Sequence, residues 1–416
     1  PGQGNTRKPR SSWESSRGED ERKGLPLFRA AASHVMQEIG VTLRLKSLVR
    51  GAREERVDFL HIPEVEPFIR DLNTWGFNVW ELNKVTGGHP LIWMGYHCFV
   101  ANGIIDELGL DVPVLLNFLS EIEARYLDVP YHNKVHGACV VQVSNFFLNA
   151  GGLGKCLNTV DKLAYLLAAI VHDVGHLGVN NRFLVSAQHD LAVVYNDKSP
   201  LENYHLAEAF RVLARPECNV LATLPEQNRL YVRTMLIDCV LNTDMVMHFQ
   251  LLAEFKDDVE ARKTARGQEK QPGPSASSLD VQLAMRLAIH AADLGNVAKP
   301  FSLAHQWTER VMQEFYGQGD RERHMGLPIS PNCDRENPIP VPKSQLGFIE
   351  HIVVPLYESL LVVIPDIEPC MVQLKDNVRT WTEALAKEMA TGVQCVPTGP
   401  VGGGAGRGVE VPPPLP

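Results

Sequence analysis

The stretch "LAYLLAAIVHDVGHLGVNN" (residues 163–181) is a long apolar run that ends in two histidines and an aspartate. Apolar residues recur at i, i+3 and i+4 spacing, which predicts a buried helix over Thr159–Val171. His172 and Asp173 follow at the end of that helix, and His176 comes one turn later. Ionisable side chains beside a core are unfavourable unless something satisfies them. The stretch therefore predicts a helical core with a polar site at its edge.

The same helical spacing recurs along the chain, whereas alternating strand patterns are nearly absent. Besides Thr159–Val171, the predicted helices are Phe68–Asn73, Val112–Tyr126, Val135–Leu148, Leu201–Leu213, Gln227–Thr243, Leu279–Leu294, Ser302–Gly317 and Lys343–Val363. Asn158 or Thr159 and Ser278 are expected to cap two of these helices, and Gly175 and Gly178 to end one. We predict an all-α fold, a compact multi-helix domain over about residues 45–390.

Three segments are predicted to lie outside the packed core. Residues 1–24 are polar, charged and nearly free of aliphatic residues, which predicts disorder. Residues 262–278 ("RKTARGQEKQPGPSASS") lie between two helical segments and are predicted to be a surface loop. Residues 397–416 form a low-complexity Gly/Pro tail that cannot build a core.

The composition describes an ordinary globular chain of 416 residues, with 44% apolar and 21% charged residues. The net charge of −9 argues against a nucleic-acid partner, and no apolar run is long enough for a membrane span. The 8 cysteines form no C-x-x-C pair, which favours a reducing, cytoplasmic setting. Because the chain begins with Pro, we expect upstream regulatory or anchoring segments in a longer protein. The sequence leaves the oligomeric state open.

Further histidines and carboxylates lie at the ends of other predicted helices. "PYHNKVHGACVV" (residues 130–141) places His132 and His136 at i, i+4, and "AIHAADLGN" (residues 288–296) places Asp293 at a helix end. Imidazole and carboxylate together suit zinc, manganese or iron. Each residue also has an ordinary alternative: His136 can bond within its helix, Asp293 can be a helix-end residue, and Asp173 can pair with an arginine. Spacing alone therefore makes a metal site one of several possible interpretations of these residues.

Seven motifs carry a resemblance to a known family, the class I (animal-type) cyclic-nucleotide phosphodiesterases. They are "YHNKVHGACVVQ", "VHDVGHLGVNNRFLV", "YNDKSPLENYHLAEAF", "LNTDMVMHF", "HAADLGN", "QWTERVMQEFYGQGDRER" and "KSQLGFIEHIVVPL". They occur in the family's order, and the similarity spans about residues 57–385. The resemblance implies an all-helical catalytic domain with a two-metal, HD-type site.

The resemblance also assigns metal ligands. His136, His172, Asp173 and Asp293 match the ligands of the tighter metal, usually Zn²⁺, and Asp173 would bridge to a second metal. That second metal is usually Mg²⁺, or Mn²⁺, and most of its other ligands are waters. Residues that match the holders of those waters are His176, Glu202 and Thr243, with Asp244 adjoining them. Such partners fix the orientation of ligands and waters.

The implied reaction is metal-dependent hydrolysis of 3′,5′-cyclic nucleotides (cAMP, cGMP or both) to 5′-monophosphates, which ends a cyclic-nucleotide signal. His132 matches the general acid for the leaving 3′ oxygen, and Glu314 matches the carboxylate that orients it. Nucleobase contacts are implied for Gln345, Phe348, Val311 and Asn296. A side-chain amide can pair with a purine edge and an aromatic ring can stack on its face.

The sequence departs from the family at several positions, and two other functions follow from the residues. Gly175 and Cys139 stand where the family usually has Asp, Val297 where Pro is common, and Glu350 where Asp is usual. One alternative is a catalytically weak cyclic-nucleotide sensor, because fold resemblance does not guarantee activity. The other is a broader HD-type phosphohydrolase, which would not explain Gln345 and Phe348. Base preference leans towards cAMP and is not decided by a glutamine whose amide can rotate.

Overall fold

The structure, a computed structural model, describes residues 60, 63–268 and 280–391. Within those residues it contains helices and connecting turns and no β-strand. The predicted all-α fold class is therefore confirmed. The predicted disordered segment 1–24 and the tail 397–416 lie outside the described residues.

The first part of the fold consists of four helices of 12 to 15 residues and five shorter ones. In chain order they are α1 (Glu66–Asp71), α2 (Val79–Val85), α3 (Pro90–Ala101), α4 (Ile104–Leu108), α5 (Val112–Glu123), α6 (Lys134–Leu148), α7 (Thr159–Val171), α8 (Asn181–Ser186) and α9 (Asp190–Val194).

The second part contains the longest helices. They are α10 (Pro200–Leu213), α11 (Glu226–Leu241), α12 (His248–Gln268), α13 (Val281–Asp293), α14 (Phe301–His324), α15 (Val341–Phe348), α16 (Val354–Leu361) and α17 (Glu368–Thr391). Short 3₁₀ turns include Met245–Met247 before α12 and Leu294–Ala298 after α13.

Helix α7 has the bounds that its apolar spacing predicts, because its cap is complete. The Asn158 side chain accepts hydrogen bonds from Val160 N and Asp161 N, and the Asp161 carboxylate accepts one from Asn158 N. This capping box satisfies backbone donors that have no partner within the helix. The predicted Asn158 cap is confirmed.

The cap of α13 differs from the prediction. Asp280 accepts hydrogen bonds from Gln282 N and Leu283 N, so that the helix begins at Val281. Ser278, the predicted cap, lies outside the described residues. A carboxylate is as good a helix cap as a hydroxyl, and only the backbone course decides which one is used.

Two other parts of the fold differ from the prediction for local reasons. Helix α12 runs to Gln268 and so extends into the predicted loop 262–278. An i, i+4 ion pair between Asp258 and Arg262, 2.7 Å long, supports the helix at the start of that segment. The predicted helix Lys343–Val363 is α15, a π-helical turn over Ile349–Val353, and α16. Pro355 near the start of α16 has no N–H to donate, which breaks the regular hydrogen-bond series.

The centre of the fold is formed by α6, α7 and α13, which pack against one another. Helix α6 is buried from Val135 to Leu148 and α7 from Leu163 to Val171. Helix α11 packs on the other side of α7. A helix that is buried along its whole length against other helices belongs to the core. Among the described helices, none is long and apolar enough to span a membrane.

Helix α14 continues past Gly317, where the predicted helix ends. At Gly319 another segment of the chain lies directly against the helix. A Cβ atom on Gly319 would lie 1.9 Å from the carbonyl oxygen of Cys333. The loop after α14 therefore rests directly on the helix backbone at this glycine, and a side chain there would push it away.

We expect Gly319→Ala to lower the free energy of unfolding by about 2–4 kcal/mol, because a backbone contact must be displaced. Gly317→Ala is the matched control on the same helix: no atom lies within 4 Å of its Cβ position. That control should be neutral or stabilising by up to about 1 kcal/mol. Denaturant unfolding monitored by circular dichroism measures both, and equal effects of the two variants would contradict the account.

Candidate metal centre and active site

Three helix ends bring two histidines and two aspartates together. His136 lies in the first turn of α6, His172 and Asp173 directly follow α7, and Asp293 is the last residue of α13. One ligand atom of each lies within 4.8 Å of the others. The two Nε2 atoms are 3.4 Å apart, and both lie within 3.4 Å of Asp293 Oδ1. The four residues predicted as ligands of the tighter metal are therefore adjacent.

The turn after α7 directs His172 and Asp173 into this cluster. His176 N donates to Asp173 O at 3.0 Å, and Gly175 has a φ of +79°, in the left-handed region. A Cβ on Gly175 would lie 2.9 Å from the Tyr204 ring. An aspartate at position 175 would have to adopt a left-handed backbone conformation and displace the Tyr204 ring, and glycine avoids both requirements.

The donor set fits a divalent cation. His172 Nδ1 donates to the Ala169 carbonyl oxygen at 2.9 Å, so that the lone pair of His172 Nε2 faces the cluster. Asp173 Oδ2 is buried and lies 3.2 Å from His172 Nε2 and 3.3 Å from His136 Nε2. Neither contact has hydrogen-bond geometry, although such an atom normally has a hydrogen-bond partner. Two imidazole nitrogens and two carboxylate oxygens form a set that zinc and similar metals bind. A cation at this point would give Asp173 its missing partner.

The charges of the cluster depend on one another. Burial alone would raise the pKa of Asp173 and Asp293, but the neighbouring histidines hold both pKa values below the usual range. Burial alone would lower the pKa of His172, yet Asp173 and Asp293 raise it. The carboxylates thus require a positive charge in the core, which an imidazolium proton or a bound cation can supply.

Divalent cations should therefore stabilise the chain after exhaustive chelation. We expect Zn²⁺ at one hundred times its dissociation constant to stabilise the fold by about 2.7 kcal/mol, seen as a rise in melting temperature. Asp293→Asn should lose most of that rise. Asp366→Asn is the matched control, because Asp366 is an exposed carboxylate paired with Lys155 at 3.4 Å. Equal temperature rises in the two variants would contradict the assignment of Asp293.

A histidine–glutamate pair lies beside the cluster. Glu314 Oε2 accepts hydrogen bonds from the backbone N–H groups of Tyr131 at 3.0 Å and His132 at 3.2 Å. Glu314 Oε1 bonds His132 Nδ1. The Glu314 side chain is 4% exposed and that of His132 24%. Glu314 thus holds both the backbone and the ring of His132, while part of the ring remains open to a ligand.

Each member of this pair stabilises the charge of the other. Burial alone would lower the pKa of His132, but the Glu314 carboxylate raises it to about 9. Burial alone would raise the pKa of Glu314, but His132 lowers it to about 2. His132 is therefore an imidazolium at neutral pH, which is the form that can donate a proton.

His176 is stacked on His132, with ring centroids 3.8 Å apart. Its Nδ1 accepts a hydrogen bond from Gly178 N at 3.1 Å, so its proton lies on Nε2. Burial and the charge of His132 lower the pKa of His176 to about 3. His132, His176 and Glu314 could themselves hold a metal, but Nδ1 of each histidine already has a protein partner. Because the pKa of His132 is raised and that of His176 is lowered, the stack consists of a charged His132 ring and a neutral His176 ring.

The residues predicted to hold metal-bound waters lie in a polar group that also contains residues the sequence analysis missed. Asn181 Nδ2 donates to Glu202 Oε2 at 2.8 Å and to Asp244 Oδ2 at 3.3 Å. Ser199, with a φ of +42°, donates to Asp244 Oδ2 at 2.7 Å. Burial and Asp244 raise the pKa of Glu202 to about 8. The Thr243 hydroxyl donates to Val240 O at 2.8 Å, which leaves its oxygen free to accept.

His205 also lies next to the metal cluster and was not predicted. Its Nδ1 donates to Val174 O at 2.8 Å, and its buried Nε2 has no hydrogen-bond partner. That Nε2 lies 3.8 Å from Asp173 Oδ1. His205 follows Glu202 at i+3 on α10, and this shared helix face is the signal that could have found it.

The residues predicted to bind the base divide into two groups. Gln345 is buried, and its side-chain oxygen Oε1 lies 3.1 Å from Thr308 Oγ1. Phe348 and Val311 are half-buried. Thr308 Oγ1 also lies 3.0 Å from Ala304 O. A hydroxyl has one proton, so Thr308 can donate to Ala304 or to Gln345 but not to both. The direction in which Gln345 presents its amide therefore depends on Thr308.

Asn296 lies against the metal cluster. Its Nδ2 is 2.8 Å from Tyr131 Oη and 3.1 Å from His136 Nδ1, and its Oδ1 accepts from Cys139 Sγ at 3.1 Å. Both ends of the amide thus have protein partners, and the residue is 3% exposed. The structure thus places Asn296, a predicted base contact, where it can support His136.

Comparisons with known proteins agree with this geometry. A model of the 3′5′-cyclic nucleotide phosphodiesterase family matches residues 131–374. The chain is 39% identical over 318 residues to 3′,5′-cyclic-AMP phosphodiesterase 4C of Mus musculus, covering 76% of this chain and 46% of the mouse protein. It is 38% identical over 321 residues to isoform F of 3′,5′-cyclic-AMP phosphodiesterase of Drosophila melanogaster, covering 76% and 47%.

Solved structures give the same result. The structure of LmjPDEB1 in complex with IBMX aligns with a TM-score of 0.72 and 28% identity, covering 80% of this chain and 98% of that one. The phosphodiesterase domain of the RhoPDE fusion protein from the choanoflagellate Salpingoeca rosetta aligns with a TM-score of 0.67 and 27% identity, covering 77% and 96%.

The cluster of two histidines and two aspartates is suited to a divalent metal, and the family match is more specific. This chain belongs to the 3′,5′-cyclic nucleotide phosphodiesterase family. It spans about half the length of the mouse and fly relatives named above.

Proposed function

We propose that this chain hydrolyses 3′,5′-cyclic nucleotides to 5′-monophosphates. The observation that supports this most strongly is the His132–Glu314 pair beside the four-ligand cluster, with the rings of His132 and His136 5.7 Å apart. A proton donor next to a cation site is what cleavage of a phosphate ester requires, because the leaving oxygen must gain a proton.

Two cations would be held by different sets of residues. Zn²⁺ would bind His136, His172, Asp173 and Asp293, which form a two-nitrogen, two-oxygen set. Mg²⁺ or Mn²⁺ would share Asp173 and bind waters held by Glu202, His176 and Thr243, with His205 and Asp244 nearby. When bound, the cations activate water near neutral pH and neutralise charge on the phosphoryl oxygens.

The chain's own residues perform the proton transfer. After a water has given one proton to the solvent, its oxygen forms a bond to phosphorus as the bond from phosphorus to the 3′ oxygen breaks. His132 donates its proton to that leaving oxygen, and Glu314 keeps the ring in position and favours the imidazolium beforehand. The neutral ring of His176 supports His132 by stacking and adds no positive charge to compete for the proton.

The base would bind between α14 and α15. Gln345 would pair with the purine edge, and Phe348 and Val311 would contact its faces. We propose cAMP as the preferred substrate, since the mouse and fly relatives are named as cyclic-AMP phosphodiesterases. The hydroxyl of Thr308 would set the direction of the Gln345 amide. Residues 45–390 would form the catalytic domain, and the location would be cytoplasmic.

The test is hydrolysis of cAMP and of cGMP by the purified chain with Mg²⁺, before and after chelation and with Zn²⁺ added back. We expect chelation to abolish turnover and metal to restore it, with a higher kcat/KM for cAMP. His132→Gln should lower kcat by about 10²- to 10⁴-fold with nucleotide binding retained. His305→Gln is the matched control, because His305 forms an exposed pair with Glu309 at 3.7 Å.

Two results would contradict the proposal. If the folded, metal-loaded chain binds a cyclic nucleotide without turning it over, the chain is a sensor, as the departures at Cys139 and Gly175 allow. If it cleaves other phosphate esters and neither cyclic nucleotide, the broader phosphohydrolase function applies instead.

The rate should fall at alkaline pH as His132 loses its proton. Because the pKa of His132 is raised to about 9, the acid form is present below that pH and is lost as the pH rises through it. Glu314→Gln removes the charge that raises this pKa, and the alkaline limb of kcat/KM should move towards neutral by at least about one unit. Glu309→Gln is the control and should leave the limb in place. An unmoved limb in Glu314→Gln would contradict the assigned pair.

A further inference from the structure

The two histidines of the metal cluster differ in what lies behind them. His172 Nδ1 faces the Ala169 carbonyl oxygen, which can only accept a hydrogen bond. His136 Nδ1 faces an amide nitrogen, Nδ2 of Asn296, at 3.1 Å. A backbone carbonyl fixes the ring tautomer permanently, whereas a side-chain amide can present either its nitrogen or its oxygen.

The present orientation of Asn296 favours one neutral form of His136. Because Nδ2 of Asn296 donates to Nδ1 of His136, the ring proton of a neutral His136 lies on Nε2, 2.9 Å from Asp293 Oδ1. A cation bound at Nε2 needs the lone pair there, so the proton must lie on Nδ1. Nδ1–H then requires an acceptor, which Asn296 supplies only if its amide turns by about half a revolution.

The neighbours of Asn296 allow this rotation without loss of a hydrogen bond. Cys139 Sγ now donates to Oδ1 at 3.1 Å, and Tyr131 Oη now accepts from Nδ2 at 2.8 Å. A thiol and a phenol can each donate or accept. After rotation Nδ2 donates to Sγ, while Oδ1 accepts from Tyr131 and from His136. Cys139 and Asn296 are each 3% exposed, so water cannot easily replace these partners.

We propose that Cys139 and Asn296 form a two-state hydrogen-bond relay that sets the tautomer of His136, and that Cys139 is thereby a positioning residue for metal binding. The proposal rests on the proposed metal site. Both forms of the His136 ring are neutral, so the relay moves a proton between ring nitrogens and changes no charge.

A carboxylate at position 139 should lock the relay. An ionised carboxylate accepts only, so Cys139→Asp would hold Nδ2 of Asn296 and turn Oδ1 towards His136 before any metal binds. Lys299 is buried and near enough for its charge to act on position 139, which gives the new carboxylate a counter-charge. Cys139→Ser is the matched control, since a hydroxyl donates and accepts as a thiol does.

The experiment is ¹⁵N-histidine NMR on the full chain, chelated and then loaded with Zn²⁺, with the His136 signal assigned from a His136→Gln variant. We expect the wild-type chain to carry the proton on Nε2 without metal and on Nδ1 with Zn²⁺. Cys139→Ser should behave in the same way, and Cys139→Asp should carry it on Nδ1 in both states. Cys139→Asp should also bind Zn²⁺ roughly tenfold more tightly in a chelator competition, as one net hydrogen bond allows.

The tautomer decides the outcome, because the added charge alone could tighten binding. A wild-type chain with Nδ1–H before metal is added would overturn the relay, even if Cys139→Asp failed to fold. A metal-free Cys139→Asp chain with Nε2–H would overturn it as well. A wild-type chain that binds no Zn²⁺ would instead overturn the proposed metal site, and the metal-free tautomers would still test the relay.

Discussion

Two carboxylates in the core are the constraint on which the rest of this structure depends. Asp173 is buried and Asp293 is half-buried at the ends of α7 and α13, and their charge is costly there without a nearby positive charge. His136 and His172 meet both carboxylates from α6 and α7. The packing of α6, α7 and α13 against one another therefore holds these two histidines and two carboxylates together at one place. A cation there would satisfy the carboxylates and lie beside His132, at the place where the proposed reaction would occur.

Helix α14 connects that point to the remaining functions. Thr308, Val311 and Glu314 follow one another at i, i+3 along it, so one face of one helix reaches from Gln345, the proposed base contact, to His132, the proposed general acid. Glu314 reaches across to the backbone before α6 and fixes His132 beside the metal ligands. A small shift of α14 would therefore move the partners of Gln345 and His132 together.

The sequence predicts the parts of this arrangement that are local. Apolar spacing predicts α7 and its Asn158 cap, because both depend on neighbouring residues. It misses α3, which is apolar on nearly every side and has no clear periodic face. The resemblance carried by the seven motifs predicts which histidines and aspartates lie close together. It could not predict Asn181, Ser199 or the Cys139–Asn296 bond, because those contacts join residues far apart in the chain.

The most direct test of the central claim is the position of the cations themselves. Crystals of the chain grown with Mg²⁺ and a 5′-monophosphate would be measured on both sides of the zinc absorption edge. The account predicts an anomalous peak within about 2.0–2.3 Å of one atom each of His136, His172, Asp173 and Asp293. It also predicts the phosphate between that peak and His132. A peak elsewhere, or a phosphate bound away from His132, would contradict the account.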